Sequence, residues 1–265
     1  ILAFSDEGAL DFNNIPSNMA YYLDRYTTAI SFVIENNLEA DAEVAEEWNL
    51  VKSRGIVTEK TLGRSVEPLI NLLWNQDSPY NMYCPTAPGG PGGRAYVGCA
   101  ADAMAMVMKF WNYPDAGVGE HSYIPPGFPQ QSVTFGEAYD WDNMLNGYAD
   151  VAYSEAQANA VARLMADCGI SIEAHYGGIF GTSASEFYVP IALVKYFGYS
   201  MNYRYLASWD YETQEWEDMM RAELDAKRPF LYSGSPRSDE YYPPVGHTFV
   251  CDGYTDNGYF HFNLG

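Results

Sequence analysis

The sequence predicts an α+β protein with a helical half followed by a sheet-forming half. Three observations predict it. The stretch Arg94 to Pro114, RAYVGCAADAMAMVMKFWNYP, is a run of alanines and methionines that propagates as a buried helix until Asn112, Tyr113 and Pro114 stop it. Ser154 and Gln157 form a capping box ahead of a second helical run reaching Cys168, which Gly169 is expected to end. The last stretch, HTFVCDGYTDNGYFHFNLG, holds two β-rich runs separated by Thr255-Asp256-Asn257-Gly258, a strong hairpin signal. At 265 residues and 48% hydrophobic content, the chain can bury one sizeable core, with or without an appendage.

The chain in order supports this division. Ile1 to Phe4 reads as a short strand, and Ser17 or Asn18 caps a helix that begins near Met19 and fades at Asn36-Asn37. Six carboxylates without a basic residue between Glu35 and Glu47 read as a solvated helical face, because the calcium-loop glycine is missing. Gly55, Thr58 and Gly63 mark a polar junction between Lys52 and Val66, where a domain boundary is expected. An apolar segment then reaches Trp74, and Asn75 to Pro79 form a turn. Pro85 to Arg94 is a flexible glycine and proline loop, not a phosphate cradle, since no GK[ST] follows. Asp115 to Gln131 reads as a long surface loop containing His121, and Trp141 as a core anchor. Further on, the segment from Ile170 reads as a strand with His175 at its end, followed by a glycine and serine loop from Gly177 to Ser185. A helix ending at Phe197-Gly198, a strand around Tyr203, a helix from Glu212 to Ala226 and a strand in PFLYSG complete the expectations.

Composition excludes several functions. Thirty-five acidic against 14 basic residues give a net charge of -21, which repels nucleic acid and anionic membrane surfaces. No run approaches the roughly 18 apolar residues of a membrane span, and no signal-peptide pattern opens the chain. Cys84, Cys99, Cys168 and Cys251 have no CxxC pair or zinc-site spacing, so neither a metal nor another cofactor is expected. Their spacing leaves a disulfide framework open.

Cys99 stands at a helix N-terminus directly after Gly98. Unpaired N–H groups and the positive end of the helix dipole favour a thiolate there, although a cysteine in such a place also reads as a small buried apolar residue. A thiol nucleophile needs a base, a group to orient that base and donors for the oxyanion. His247 is the base candidate, since it starts a strand immediately after Gly246, where substrate could pass close to bare backbone. Asn263, returned by the hairpin, is expected to accept the imidazole proton with its side-chain carbonyl. Gln76, after the turn and before the cysteine helix, is the candidate oxyanion donor, together with the Cys99 N–H. Each also has an ordinary reading: His247 as an edge histidine, Asn263 as a strand-end cap, Gln76 as a turn residue.

VGCAADAMAMVMKFWNYP, WNQDSPYN, YDWDNML, LMADCGISIEAHYG and GHTFVCDGYTDNGYFHFN occur in an order and spacing that resemble the streptopain family of papain-like cysteine peptidases, including its interpain-type members. The resemblance covers residues 65 to 265, and ILAFSDEGALDFNNIPSNMAYYLDRY resembles the later part of the family's inhibitory propeptide. It implies a two-lobed papain-like fold with propeptide over residues 1 to 64 and peptidase domain over 65 to 265. It further implies Cys99 as nucleophile, His247 as general base and acid, Gln76 as oxyanion-hole side chain and Asn263 as imidazole orienter. Gly246 and Thr182 would bind substrate backbone, and Asn18 would match the asparagine that a propeptide loop inserts into the cleft. Where the family usually has tryptophan after its asparagine, this chain has Leu264, and the family continues beyond the position of Gly265.

The expectation is therefore a secreted or cell-surface cysteine endopeptidase made as a zymogen, with protein or peptide substrates and its own propeptide as inhibitor. The alternatives are a catalytically silent peptide-binding paralogue and a Cys-His acyltransferase.

Overall fold

The computed structural model describes residues 17–39, 42, 45, 49, 63–178, 181–235 and 246–265. The chain divides into two compact units, Ile1–Thr58 and Glu59–Gly265. In the first, helix α1 spans Ser17–Glu35 and ends before Asn37, which adopts the left-handed conformation with φ 48°. The strand expected at Ile1 to Phe4 and most of the acidic run lie outside the described residues.

In the second unit, helix α2 (Cys99–Trp111) forms as its composition dictates, and Asn112, with φ 44°, closes it by donating to the carbonyls of Met108 and Lys109. Ala100 to Met108 are all buried, so this helix is the centre of the main core. It packs against helix α3 (Glu155–Ser171) on one side and the C-terminal sheet on the other. The capping box of α3 is present in both directions: Ser154 Oγ accepts from the Gln157 N–H, and Gln157 Oε1 from the Ser154 N–H. Gly169 does not end this helix. A Cβ there would lie 3.0 Å from the Tyr176 hydroxyl, so the glycine provides room for a ring and α3 continues to Ser171. Trp141 is the expected anchor, donating its indole N–H to the Pro114 carbonyl at 3.1 Å.

The expected loop from Asp115 to Gln131 is a hairpin instead. Strands β1 (Glu120–Tyr123) and β2 (Gln131–Thr134) pair antiparallel, with His121 opposite Val133. Pro125-Pro126 lies in the connection between the two strands. His121 is held by the Tyr196 hydroxyl at 2.9 Å and Glu173 at 3.2 Å. Conversely, the strand expected from Ile170 reduces to a single bridge between His175 and Ser183, because α3 runs over its first residues. The segment around Tyr203 is turn and coil, and helix α4 (Tyr188–Phe197) stops at Gly198 with φ 68°.

Helix α5 (Thr213–Asp225) covers a three-stranded antiparallel sheet of β3 (Phe230–Gly234), β4 (His247–Tyr254) and β5 (Phe260–Asn263), in the order β3-β4-β5. Val66, Met220, Leu224, Cys251 and Tyr254 form a second, smaller core there. A bulge between Cys251 and Gly253 interrupts the β4–β5 register. The chain segment after the junction crosses this bulge: Val66 and Tyr254 exchange backbone bonds, and the Leu69 N–H donates to the Asp252 carbonyl. The buried Asp252 carboxylate binds the Ile70 N–H at 2.9 Å and His261 Nδ1 at 2.6 Å. That contact raises the His261 pKa above its ordinary value. The fold is thus α+β, with a helical half centred on α2 and an antiparallel sheet half. All four cysteines are free thiols.

Candidate active site

The first turn of α2, the turn before it, the start of β4 and the residues after β5 converge on Cys99. Gly98 makes the entry possible. Its φ of 99° favours glycine, and a Cβ there would meet Thr182 Cγ2 at 2.9 Å. Thr182 is fixed in turn, donating its hydroxyl to the Tyr96 carbonyl at 2.6 Å and accepting the Gly177 N–H at 3.2 Å. Its side chain therefore braces the backbone ahead of Cys99. The glycine and proline loop is also tied down, by Asn81 Nδ2 to the Pro91 and Ala95 carbonyls and by Arg94 to the Cys84 carbonyl.

That loop sets Gln76 against the start of the Cys99 helix. The Val97 N–H donates to the Gln76 carbonyl at 3.0 Å, two residues before Cys99, and the Gln76 side chain is buried. Its Nε2 has no hydrogen-bond partner among the described residues. A buried amide donor left unpaired costs about 1–3 kcal/mol, and this one lies on the residue that anchors the backbone two residues ahead of Cys99.

His247 stands at the first position of β4, opposite Gly234. Its Nε2 lies 2.8 Å from the Leu264 carbonyl. A carbonyl only accepts, so Nε2 carries the proton and Nδ1 is the basic nitrogen. Asn263 does not take the expected position. It pairs with Val250, three residues along β4 from His247. Its Nδ2 donates to the Leu72 carbonyl at 2.8 Å, and its Oδ1 accepts from the Gly265 N–H at 3.3 Å. Here the asparagine fixes the chain whose next carbonyl orients the imidazole. Gly246 directly precedes β4. Asn18 lies in the first turn of α1.

The electrostatics correct one expectation. Burial pushes the Cys99 thiol up, against the opposing hydrogen bonds of the Thr248 N–H, the Ala100 N–H and the Thr248 hydroxyl. The helix terminus alone does not make a thiolate. Burial also pushes His247 below its ordinary value, against the Leu264 carbonyl and the Asp102 carboxyl. Both shifts favour the neutral forms, thiol and imidazole, so chemistry at the sulfur would need proton transfer from one to the other. Sequence reasoning missed Thr248, Asp102 and the Leu264 carbonyl. Only Asp102 left a signal, as a charge inside an apolar helix. Among the described residues, no group of histidine, cysteine and carboxylate side chains could hold a metal ion, and no helix is long and apolar enough to cross a membrane.

Comparison with known proteins identifies the family and the fold. The whole chain aligns at 30% identity with the thiol protease/hemagglutinin PrtT of Porphyromonas gingivalis and with streptopain of Streptococcus pyogenes, spanning 30% and 65% of their lengths. The active wild-type interpain A cysteine protease of Prevotella intermedia superposes with a TM-score of 0.70 at 34% identity, over 77% of this chain and 83% of that one. A prointerpain A fragment from the same organism, carrying a mutation of cysteine to alanine, gives 0.68 at 31% identity, over 86% of this chain and 75% of its own. The fold is therefore papain-like. The Peptidase C10 family model matches residues 74–265, from just before Gln76 through Cys99 and His247 to the Leu264 carbonyl, and the chain belongs to that family.

Proposed function

We propose that this chain is a secreted cysteine endopeptidase made as a zymogen, with residues 1 to 64 as its inhibitory propeptide and residues 65 to 265 as its catalytic domain. The observation that carries the reading is the buried, unpartnered Gln76 amide beside the start of the Cys99 helix. In the proposed reaction, His247 Nδ1 takes the proton of Cys99, and the sulfur attacks a substrate carbonyl carbon. Gln76 Nε2 and the Cys99 N–H, one of the orphan donors at the helix N-terminus, bind the oxyanion. His247 then gives its proton to the leaving amine, and water hydrolyses the acyl-enzyme. Asn263 supports this indirectly, by holding the Leu72 carbonyl and the Gly265 N–H so that the Leu264 carbonyl faces the imidazole. Gly246 directly precedes β4 and, without a side chain, lets an extended peptide approach closely, and Thr182 braces the backbone ahead of Cys99. Asn18 belongs to the segment assigned to inhibition.

Gln76→Ala is expected to lower kcat by about 10²–10³-fold with KM little changed, because the amide acts on charge that develops only after attack. Steady-state kinetics on a peptide substrate check this. The reading as a whole is tested by covalent labelling with a peptide carrying a thiol-reactive group. Cys99 should be labelled, faster once residues 1 to 64 are removed, and incubation at high concentration should cut the chain between Lys52 and Val66. Absence of labelling in both forms would overturn it.

A further inference from the structure

Asp102 is the one charged residue on the buried face of α2. It stands one helical turn after Cys99, on the same side of the helix. Its side chain is 1% exposed, and neither carboxyl oxygen has a hydrogen-bond partner among the described residues. An aspartate so placed is costly, and an apolar residue would pack there without penalty. The surrounding chain makes room for it. A Cβ on Gly265 would fall 2.1 Å from Asp102 Oδ2, so only glycine lets the segment that orients His247 pass this carboxyl.

Four titratable groups interact electrostatically with Asp102. They are Cys99 on its own helix, His247 on β4, Tyr80 in the turn before the glycine and proline loop, and Cys168 on α3. Burial raises the Asp102 carboxyl well above the ordinary carboxylate range, whereas the charge of His247 acts in the opposite sense. In the other direction, Asp102 raises His247. A negative charge at this point makes proton loss harder for both members of the catalytic pair.

We infer that Asp102 is a positioning residue for the Cys99–His247 pair, holding the transferred proton on the imidazole through the charge of its buried carboxyl group. When the S–H bond of Cys99 breaks and an N–H bond forms on His247 Nδ1, the imidazolium gains a counter-charge within the protein. The same charge keeps the thiol protonated until the base takes its proton. Burial favours the neutral carboxyl, so the effect sets in as the pH rises through the titration of Asp102 and is absent below it. This inference rests on the peptidase reading for its purpose, though not for its measurement.

The test compares the full chain with its Asp102→Asn and Asp102→Thr variants. The pH dependence of Cys99 alkylation by iodoacetamide reads the thiol, the other three thiols being buried. Nuclear magnetic resonance reads the His247 ring, assigned by its loss in His247→Gln. In both variants the two midpoints should fall together by about one pH unit, making alkylation about tenfold faster at a fixed pH below the midpoint. The variants should melt no lower than the wild type, because an unpaired buried acid has been removed. Unchanged midpoints, or midpoints moving in opposite directions, would overturn the inference. Neither measurement needs turnover, so a shifted pair in an inactive protein would refute the peptidase reading alone.

Discussion

Cys99→Ala is expected to reduce peptide cleavage by about 10⁶-fold, to the level that the oxyanion donors and substrate binding alone can support. The reason is chemical and local. No other thiol can substitute, since Cys84, Cys168 and Cys251 are buried in the two cores. Alanine is a good helix former and removes a single atom at the start of α2, so the variant should fold and melt close to the wild type. Discontinuous assay with a fluorogenic peptide, together with thermal melting, separates loss of chemistry from loss of structure. Retained cleavage would mean that another group attacks.

His247→Ala is expected to cost nearly as much, and the double variant with Cys99→Ala should be no worse than either alone, because the two act as one unit. Here the thiol stays intact but loses its base. Burial holds that thiol protonated, so the variant should also alkylate more slowly near neutral pH. A thiolate formed by the helix terminus alone would alkylate at an unchanged rate. The acid limb of the wild-type profile carries a further sign. His247 lies below its ordinary value of 6.5, so the imidazole stays neutral and basic as the pH falls past 6.5. The limb of kcat/KM against pH should therefore fall below 6.5, and a limb above that value would contradict burial as the controlling effect.

Local chemistry was legible wherever one short-range signal dominated. The Ala and Met run of α2 and the capping box of α3 gave helices with the expected beginnings, and Thr255 to Gly258 gave the β4–β5 hairpin. Gly169 misled, because close approach to Tyr176 and helix termination use the same residue. The β1–β2 hairpin was hidden because its strands are four residues each and half-buried, too short for alternation to stand out from a loop. In the candidate site, the identities of Cys99, Gln76 and His247 could be argued from position. The role of Asn263 could not, since its side chain is taken by the Leu72 carbonyl and the Gly265 N–H, contacts that no local pattern marks. The thiol's protonation was equally hidden, because burial is a property of the whole fold and outweighs the helix terminus.

The crossing of Val66 to Ile70 over the bulge of β4 sets a limit on maturation. Val66, Leu69 and Ile70 act as a short extra edge to the sheet, bonded to Tyr254 and to both the carbonyl and the side chain of Asp252. A protease trimming the chain from its beginning can proceed to Gly63 without breaking one of these bonds. One step past Val66 uncovers the small core of Met220, Leu224, Cys251 and Tyr254 and removes two backbone bonds at the far end of the strand whose first residue is His247. The permissible start of a mature enzyme is thus fixed by the sheet, whatever sequence the trimming protease prefers.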